Sequence, residues 1–114
     1  MALASKLNLK PGVKARVVGK PVDVDLSDIS VSTNGEAVIV FVRTLAEVKA
    51  KAGPAIAAAK EDRIAWLVYP KAGKLDTDLN RDILWRHLLK KNIQGVRQVA
   101  IDDTWSAMRF RPKA

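Results

Sequence analysis

Five side chains at or after the ends of two apolar runs of the sequence are suited to hold an anion. Tyr69 ends an apolar run, and basic residues follow it in the next stretch of chain. The candidates are Tyr69, Lys71, Lys74, Arg81 and, after an earlier apolar run, Arg43. Lysine and arginine bind phosphate and carboxylate groups through charge-assisted hydrogen bonds, so the group predicts a site for such a ligand around an exposed tyrosine. The alternative is that Tyr69 closes the core and the cations are only solvated.

Two buried strands would bring these side chains together. Residues 37–42 and 64–69 are apolar runs of strand length without polar alternation, which is typical of parallel strands buried on both faces. In open parallel sheets, ligands bind beyond the carboxyl ends of the strands. We therefore expect the loop at 69–78 to lie at a binding edge, with Lys20 after the first strand as a further candidate. A helix beginning at Leu79 would add its positive N-terminal end.

The remaining elements predict one α/β domain over residues 1–114. Glycine, proline and polar turn residues interrupt residues 19–35, so this segment should be irregular. The other predicted elements are a strand over 14–18, a helix over 45–60 capped by Thr44 with Glu47 and interrupted at Gly53 and Pro54, a helix over 79–91, and strands over 96–101 and 106–110. This order predicts a mostly parallel sheet with helices above and below it and a C-terminal antiparallel hairpin.

Residue chemistry outside the anion-binding candidates indicates no catalytic or metal site. The chain has no cysteine, and its single histidine, His87, lies beside the apolar stripe of a predicted helix, where a surface or boundary role is typical. Asp102 and Asp103 suit a hairpin turn. Three further carboxylates suit helix capping, although magnesium or calcium would also accept such oxygens; they are Asp76, Asp78 and Asp82. No nucleophile elbow, phosphate-binding P-loop or HExxH motif occurs.

The charge of the chain favours an anionic partner without naming one. Lys and Arg number 20 against 12 Asp and Glu, which gives a net charge of +8. The basic residues form no block and no nucleic-acid-binding motif occurs, so a nucleic-acid partner would rest on charge alone. The longest apolar run is far shorter than the roughly 20 residues of a membrane span. We expect a cytoplasmic protein that does not bind membranes; a protein partner and a homodimer formed through an exposed sheet edge are alternatives.

Several short phrases of the sequence, the longest near its end, form a recognisable set. They are LKPG at 9–12, VVG at 17–19, FVRT at 41–44, YPK at 69–71, DLNRD at 78–82 and QVAIDDTWSAMRFRP at 98–112. The set resembles a family of small, functionally uncharacterised bacterial proteins regarded as truncated methyltransferase-like proteins. The order of elements is similar to the back half of a class I S-adenosylmethionine-dependent methyltransferase, whose sheet also ends in an antiparallel hairpin. The resemblance implies a reduced Rossmann-like fold.

The parts that hold the cofactor in those methyltransferases are largely missing here. The enzymes carry a glycine-rich turn after the first strand, where this chain has GKP at residues 19–21. The acidic residue that binds the ribose would be Asp23 or Asp25, with no credible helix before it. We therefore expect no cofactor and a non-catalytic binding or regulatory domain. The alternatives are a small enzyme or binder acting on an anionic ligand at the Tyr69 loop and charge-driven association with nucleic acid.

Overall fold

A five-stranded sheet with helices forms the framework of the protein. The computed structural model describes residues 3–9, 12–22, 24, 26–27, 29–71, 73–75 and 77–113, which form a single α/β domain. In chain order the elements are α1 (Leu3–Lys6), β1 (Ala15–Val18), β2 (Ala37–Phe41), α2 (Leu45–Lys51), α3 (Gly53–Lys60), β3 (Ala65–Pro70), α4 (Arg81–Leu89), β4 (Ile93–Ala100) and β5 (Trp105–Pro112). No helix within these ranges is long and apolar enough to cross a membrane.

The sheet is mixed, so the prediction of a mostly parallel sheet is wrong. Its strand order is β1-β2-β3-β5-β4. The β1–β2 and β2–β3 pairs are parallel, whereas the β3–β5 and β5–β4 pairs are antiparallel. The C-terminal antiparallel hairpin is confirmed. Its last strand, β5, is an internal strand of the sheet, and β4 is the edge strand. Because β5 inserts between β3 and β4, it forms two antiparallel ladders instead of one.

The central strands are covered by helices on one face and by irregular chain on the other. Every residue of β2 and β3 is buried, which confirms the interpretation of the two apolar runs. On one face, α2, α3 and α4 supply core residues such as Val48, Ala58 and Leu84. On the other face, the cover includes Leu7 and Leu26, which lie outside regular structure. Apart from the single turn of α1, all helices pack on one face, so the prediction of helices on both faces is wrong.

The described residues of the segment 19–35 form no helix and no extended strand, as predicted, but they contribute to the core. Its described apolar residues Val24, Leu26 and Ile29 are buried against the sheet. The segment also pairs with the start of β1, since the Ala15 N–H donates to the Ser30 carbonyl at 2.9 Å. Irregular chain thus serves here as the second layer of the fold.

The boundaries of α2 and α3 follow the predicted cap and the predicted break. Gly53 and Pro54 divide the long helical segment into α2 and α3, with Pro54 in the first turn of α3. The Thr44 hydroxyl accepts a hydrogen bond from the Glu47 N–H at 3.2 Å. The Glu47 carboxylate in turn accepts from the Arg43 N–H at 3.1 Å, one residue before the usual partner in a capping box.

The substitution Trp66→Phe should destabilise the fold. Trp66 is fully buried, and its indole N–H donates to the Leu7 carbonyl at 3.0 Å. Removing the donor leaves a buried carbonyl unpaired and removes ring volume, which should lower the free energy of unfolding by about 2–3 kcal/mol. Urea denaturation followed by circular dichroism measures the change. The matched variant Trp85→Phe, at a tryptophan that is 38% exposed, should change it by less than about 0.5 kcal/mol; equal losses would contradict the anchoring role of Trp66.

Candidate anion-binding cavity at the end of the third strand

The carboxyl end of β3 borders a cavity of about 420 Å³ that opens to solvent. The loop after β3, the start of α4 and strands β4 and β5 form the rest of its wall. Its described lining residues are Tyr69, Lys71, Asn80, Arg81, Gln98 and Ser106. This is the edge at which parallel strands such as β2 and β3 predict a ligand. Three of the five predicted residues, Tyr69, Lys71 and Arg81, therefore lie at one cavity.

Tyr69 forms the buried wall of the cavity. It is 2% exposed and belongs to the core on the helix-covered face, so the expectation of an exposed aromatic is wrong. Its hydroxyl oxygen accepts a hydrogen bond from Gln98 Nε2 at 3.0 Å. Burial raises the pKa of the Tyr69 hydroxyl, and the smaller effects of Arg81 and Asp82 lower and raise it, respectively. The hydroxyl is therefore a neutral group that keeps its proton at physiological pH.

Two lining residues from the hairpin were not predicted. Ser106 lies directly opposite Tyr69 in the β3–β5 register and is the one buried polar residue among those described. Gln98 lies on β4 opposite Met108. Met108 is two residues after Ser106 on β5, so Gln98 is on the same face of the sheet as Ser106. No local motif marks either residue. Their contribution follows from the insertion of β5 beside β3, which brings residues distant in sequence to one face of the sheet.

The two cations approach the cavity from opposite ends of the loop after β3. Lys71 is half-buried, and its backbone N–H donates to the Thr104 carbonyl at 2.8 Å, which ties the loop to the β4–β5 hairpin. Arg81 is the exposed first residue of α4. Asn80 precedes it as the helix cap, since its side-chain oxygen accepts from the Ile83 N–H at 2.8 Å. The predicted helix start at Leu79 is thus shifted to Arg81.

The other two predicted residues, Arg43 and Lys74, do not line the cavity. Lys74 is exposed in a tight turn, where its backbone N–H donates to the Lys71 carbonyl at 2.9 Å. Arg43 is exposed, and its backbone carbonyl accepts from the Thr77 hydroxyl at 2.5 Å. The contribution of Arg43 that the structure shows is therefore to join two loops.

The loops after β2 and β3 do converge, and the side chains of Thr77 and Asp78 make the contact. Asp78 was expected to cap the helix that follows it; instead its carboxylate accepts from the Leu45 N–H at 2.9 Å, at the first residue of α2. Asp82 lies 3.7 Å from Arg81 in an exposed ion pair. Asp76 lies outside the described residues. Capping of one helix by the loop before another explains why the two loops meet at this edge.

The turn after the first strand lies away from the cavity. Gly19 has a φ of +75°, and a side chain there would approach the Phe41 carbonyl oxygen within 3.0 Å. The Lys20 ammonium donates to the carbonyls of Pro21 and Val24 at 2.9 and 2.8 Å. Lys20 therefore closes its own turn and lines a different cavity. Asp23 and Asp25, considered for ribose binding, lie outside the described residues.

The remaining titratable candidates have structural positions. His87 is half-buried on α4 away from the cavity lining, which confirms its predicted boundary position, and its pKa is lowered by burial and then by nearby lysines. The Asp102 carboxylate accepts from the N–H groups of Thr104 and Trp105, both at 2.8 Å, so its predicted turn role is confirmed. Within the part of the chain described, no three His, Asp or Glu side chains group closely enough to hold a metal ion.

Comparisons with known proteins do not assign the chain to a family. No protein-family model matches it, and no curated protein or solved structure shows significant similarity to it. The role of the cavity therefore has to be inferred from its own residues.

Burial of Tyr69 should be visible in its titration. Folding raises the pKa of this hydroxyl above the unfolded value of about 10. Burial of the neutral tyrosine therefore makes its full contribution to the free energy of unfolding below that pH. This contribution is lost as pH rises through the folded-state pKa. Tyrosinate absorbance reports the step directly, because Tyr69 is the only tyrosine. Tyr69→Phe should remove the step, and a native-state titration at or below the ordinary value would contradict the buried environment.

Proposed function

We propose that the protein is a small, cytoplasmic, non-catalytic binding domain that holds a phosphate or carboxylate group in the cavity beside Tyr69. One observation carries the proposal: two cations and several hydrogen-bond donors meet at a single cavity. Lys71 and Arg81 supply the positive charges, and no acidic residue is among the described lining residues. A site with this composition favours an anion over a cation or a neutral ligand.

The neutral side chains at the cavity also support an anionic ligand. The Tyr69 oxygen already accepts from Gln98, so its hydrogen is available for donation. The Asn80 oxygen accepts from the Ile83 N–H, which leaves the amide NH₂ of Asn80 as a donor. The Ser106 hydroxyl can donate as well. Because local structure uses the acceptor atoms of Tyr69 and Asn80, these side chains can offer donors to a ligand.

The positions of the two cations suit reversible binding. Lys71 is half-buried, and its backbone is tied to the hairpin through Thr104, so its position at the cavity is fixed. Arg81 faces Asp82 at 3.7 Å, but both side chains are mostly exposed. Such pairs contribute at most about 1 kcal/mol, so the guanidinium can turn to a ligand at little cost. The N-terminus of α4 adds positive potential from its backbone N–H groups.

Binding without catalysis is the simpler interpretation of this chemistry. A hydrolase or transferase would need a general base or an activated nucleophile at the cavity. Ser106 is the candidate nucleophile, and none of the described lining residues is a histidine or a carboxylate that could take its proton. His87 does not line the cavity. The donors are therefore suited to hold an anion in place.

The relationship to methyltransferases is part of the proposal. We infer that the domain is a reduced form of that fold, with the family of small bacterial proteins as its relatives. The antiparallel β4–β5 hairpin at the end of the sheet supports this, since the sheets of those enzymes also end in one. The turn at Gly19, closed by the Lys20 side chain, supports the loss of the cofactor site. In this proposal the same edge of the sheet binds a smaller anion in place of the methyltransferase cofactor.

Inorganic phosphate and citrate test the proposed site directly. Titration of isotope-labelled protein should give saturable amide shifts at Lys71, Asn80, Arg81 and Ser106. Lys71→Gln and Arg81→Gln should each weaken binding about tenfold, as expected for loss of one charge-assisted hydrogen bond. Calorimetry or the same shift titration measures the affinity.

Matched variants on the same elements separate a site from general positive charge. Lys74→Gln, in the same loop, and Arg86→Gln, on α4, each remove one exposed positive charge outside the cavity lining. They should leave phosphate affinity within about twofold, because exposed charges at a distance are screened by salt. If all four variants weaken binding equally, the protein responds to net charge and the cavity is not the site.

A further inference from the structure

The outer edge of β4 is free in the described structure. β4 pairs with β5 on one side and is the last strand in the sheet order. Its central residues Val96, Arg97 and Gln98 are exposed. An uncovered edge presents backbone donors and acceptors that can pair with another extended chain.

The hydrogen-bond pattern identifies which backbone groups face outward. The Ile101 N–H donates to the Trp105 carbonyl at 2.9 Å, next to the hairpin turn. Antiparallel ladders alternate between pairs that bond to each other and pairs that do not. Because Ile101 bonds to β5, the residues two and four positions before it, Val99 and Arg97, also bond to β5. The backbone groups of Gln98 and Ala100, which lie between them, point to the open edge. A register shift between Gly95 and Arg97 interrupts the ladder before this stretch.

A groove that Trp85 and Val96 line together with basic and polar side chains runs beside this edge on the helix-covered face. Trp85 from α4 and Val96 from β4 are 38% and 46% exposed, and both line a groove of about 190 Å³. Gly95 lets the Met108 side chain pack against β4, because a Cβ there would come within 2.7 Å of the Met108 sulfur. A side chain of an added strand that points to this face would contact the tryptophan and the valine.

The charges around the edge favour an acidic partner. Arg81 and Arg97 line the groove, and no acidic residue is among its described lining residues. Arg97 is also the cross-strand neighbour of Arg109, an arrangement of like charges that is unfavourable on its own. Arg109 Nε is buried without a hydrogen-bond partner in the described structure. A carboxylate from an added strand would reduce this repulsion.

We propose that the β4 edge binds an extended acidic segment of another protein by strand addition, using residues 97–100 as the template. Backbone hydrogen bonds to Gln98 and Ala100 provide the pairing, the groove at Trp85 takes an apolar side chain, and Arg97 takes an acidic one. A second copy of this chain is the less favourable occupant, because two molecules of charge +8 would meet. The edge binds its ligand through backbone hydrogen bonds, whereas the cavity uses side-chain donors and charges. Arg81 and Gln98 border both sites.

The peptide acetyl-(Glu-Val)₄-amide is a suitable probe, with acetyl-(Lys-Val)₄-amide as its charge-reversed control. The acidic peptide should shift the amides of residues 96–100 and change the fluorescence of Trp85, whereas the basic peptide should do neither. Ala100→Pro removes an outward N–H without removing a bond to β5, so it should weaken peptide binding about tenfold or more. Ala100→Val keeps the N–H and should bind as the unchanged protein does. Phosphate titration of both variants should be unaffected, so failure of this proposal is distinguishable from failure of the cavity proposal.

Several outcomes would overturn strand addition. These are shifts confined to the Lys71 side of the cavity, equal binding of both peptides, tighter binding of a short DNA duplex to the same residues, or concentration-dependent dimerisation through β4. If Ala100→Pro does not fold, the acidic peptide methylated on alternate backbone nitrogens replaces it. Strand addition requires that one of the two methylation patterns abolishes binding while the other preserves it, because only alternate N–H groups face β4.

Discussion

The remainder of the molecule is constrained by the need to bury both faces of two neighbouring strands, β2 and β3. β2 and β3 expose no residue, so the sheet centre needs a cover above and below and a paired neighbour at each side. A short chain has few helices with which to do this. The helices cover one face, and the other is covered by the N-terminal segment and the loop before β2, including Leu7 and Ile29. Irregular chain can fill this role because burial of apolar area is non-directional and does not require a regular element.

The same constraint explains the position of β5. One side of β3 pairs with β2, and its other side needs a strand whose two faces are also apolar. The hairpin offers two strands of different character: β5 is mostly buried, whereas the middle of β4 is exposed. Placing β5 against β3 buries the strand with the larger apolar side chains, Trp105, Met108 and Phe110, and leaves β4 at the edge. The antiparallel ladders and the loss of a mostly parallel sheet follow from this choice.

The candidate cavity is a consequence of that strand order. Insertion of β5 places Ser106 opposite Tyr69, and the hairpin turn receives the backbone of Lys71. β4 follows at the next position and supplies Gln98 to the tyrosine hydroxyl. The cavity and the open edge of β4 are therefore neighbours, and both are framed by α4. Positive charge at both places is the basis of the two proposals, a small anion in the cavity and acidic side chains of an extended polypeptide at the edge.

Local sequence alone determined most of the elements and the cap of α2, but not α1 or the start of α4. The apolar runs identified β2 and β3, Thr44 with Glu47 identified the start of α2, and Pro54 divided the helical segment, because each depends on neighbouring residues only. Tertiary structure decided which strands pair, which face receives helices, and which polar residues meet. Gln98 and Tyr69 are 29 residues apart, and no local pattern links them. Their contact depends on the strand order, which is selected by burial of apolar surface over the whole sheet. A local apolar pattern shows that a segment must be buried, but it does not show which other segment covers it.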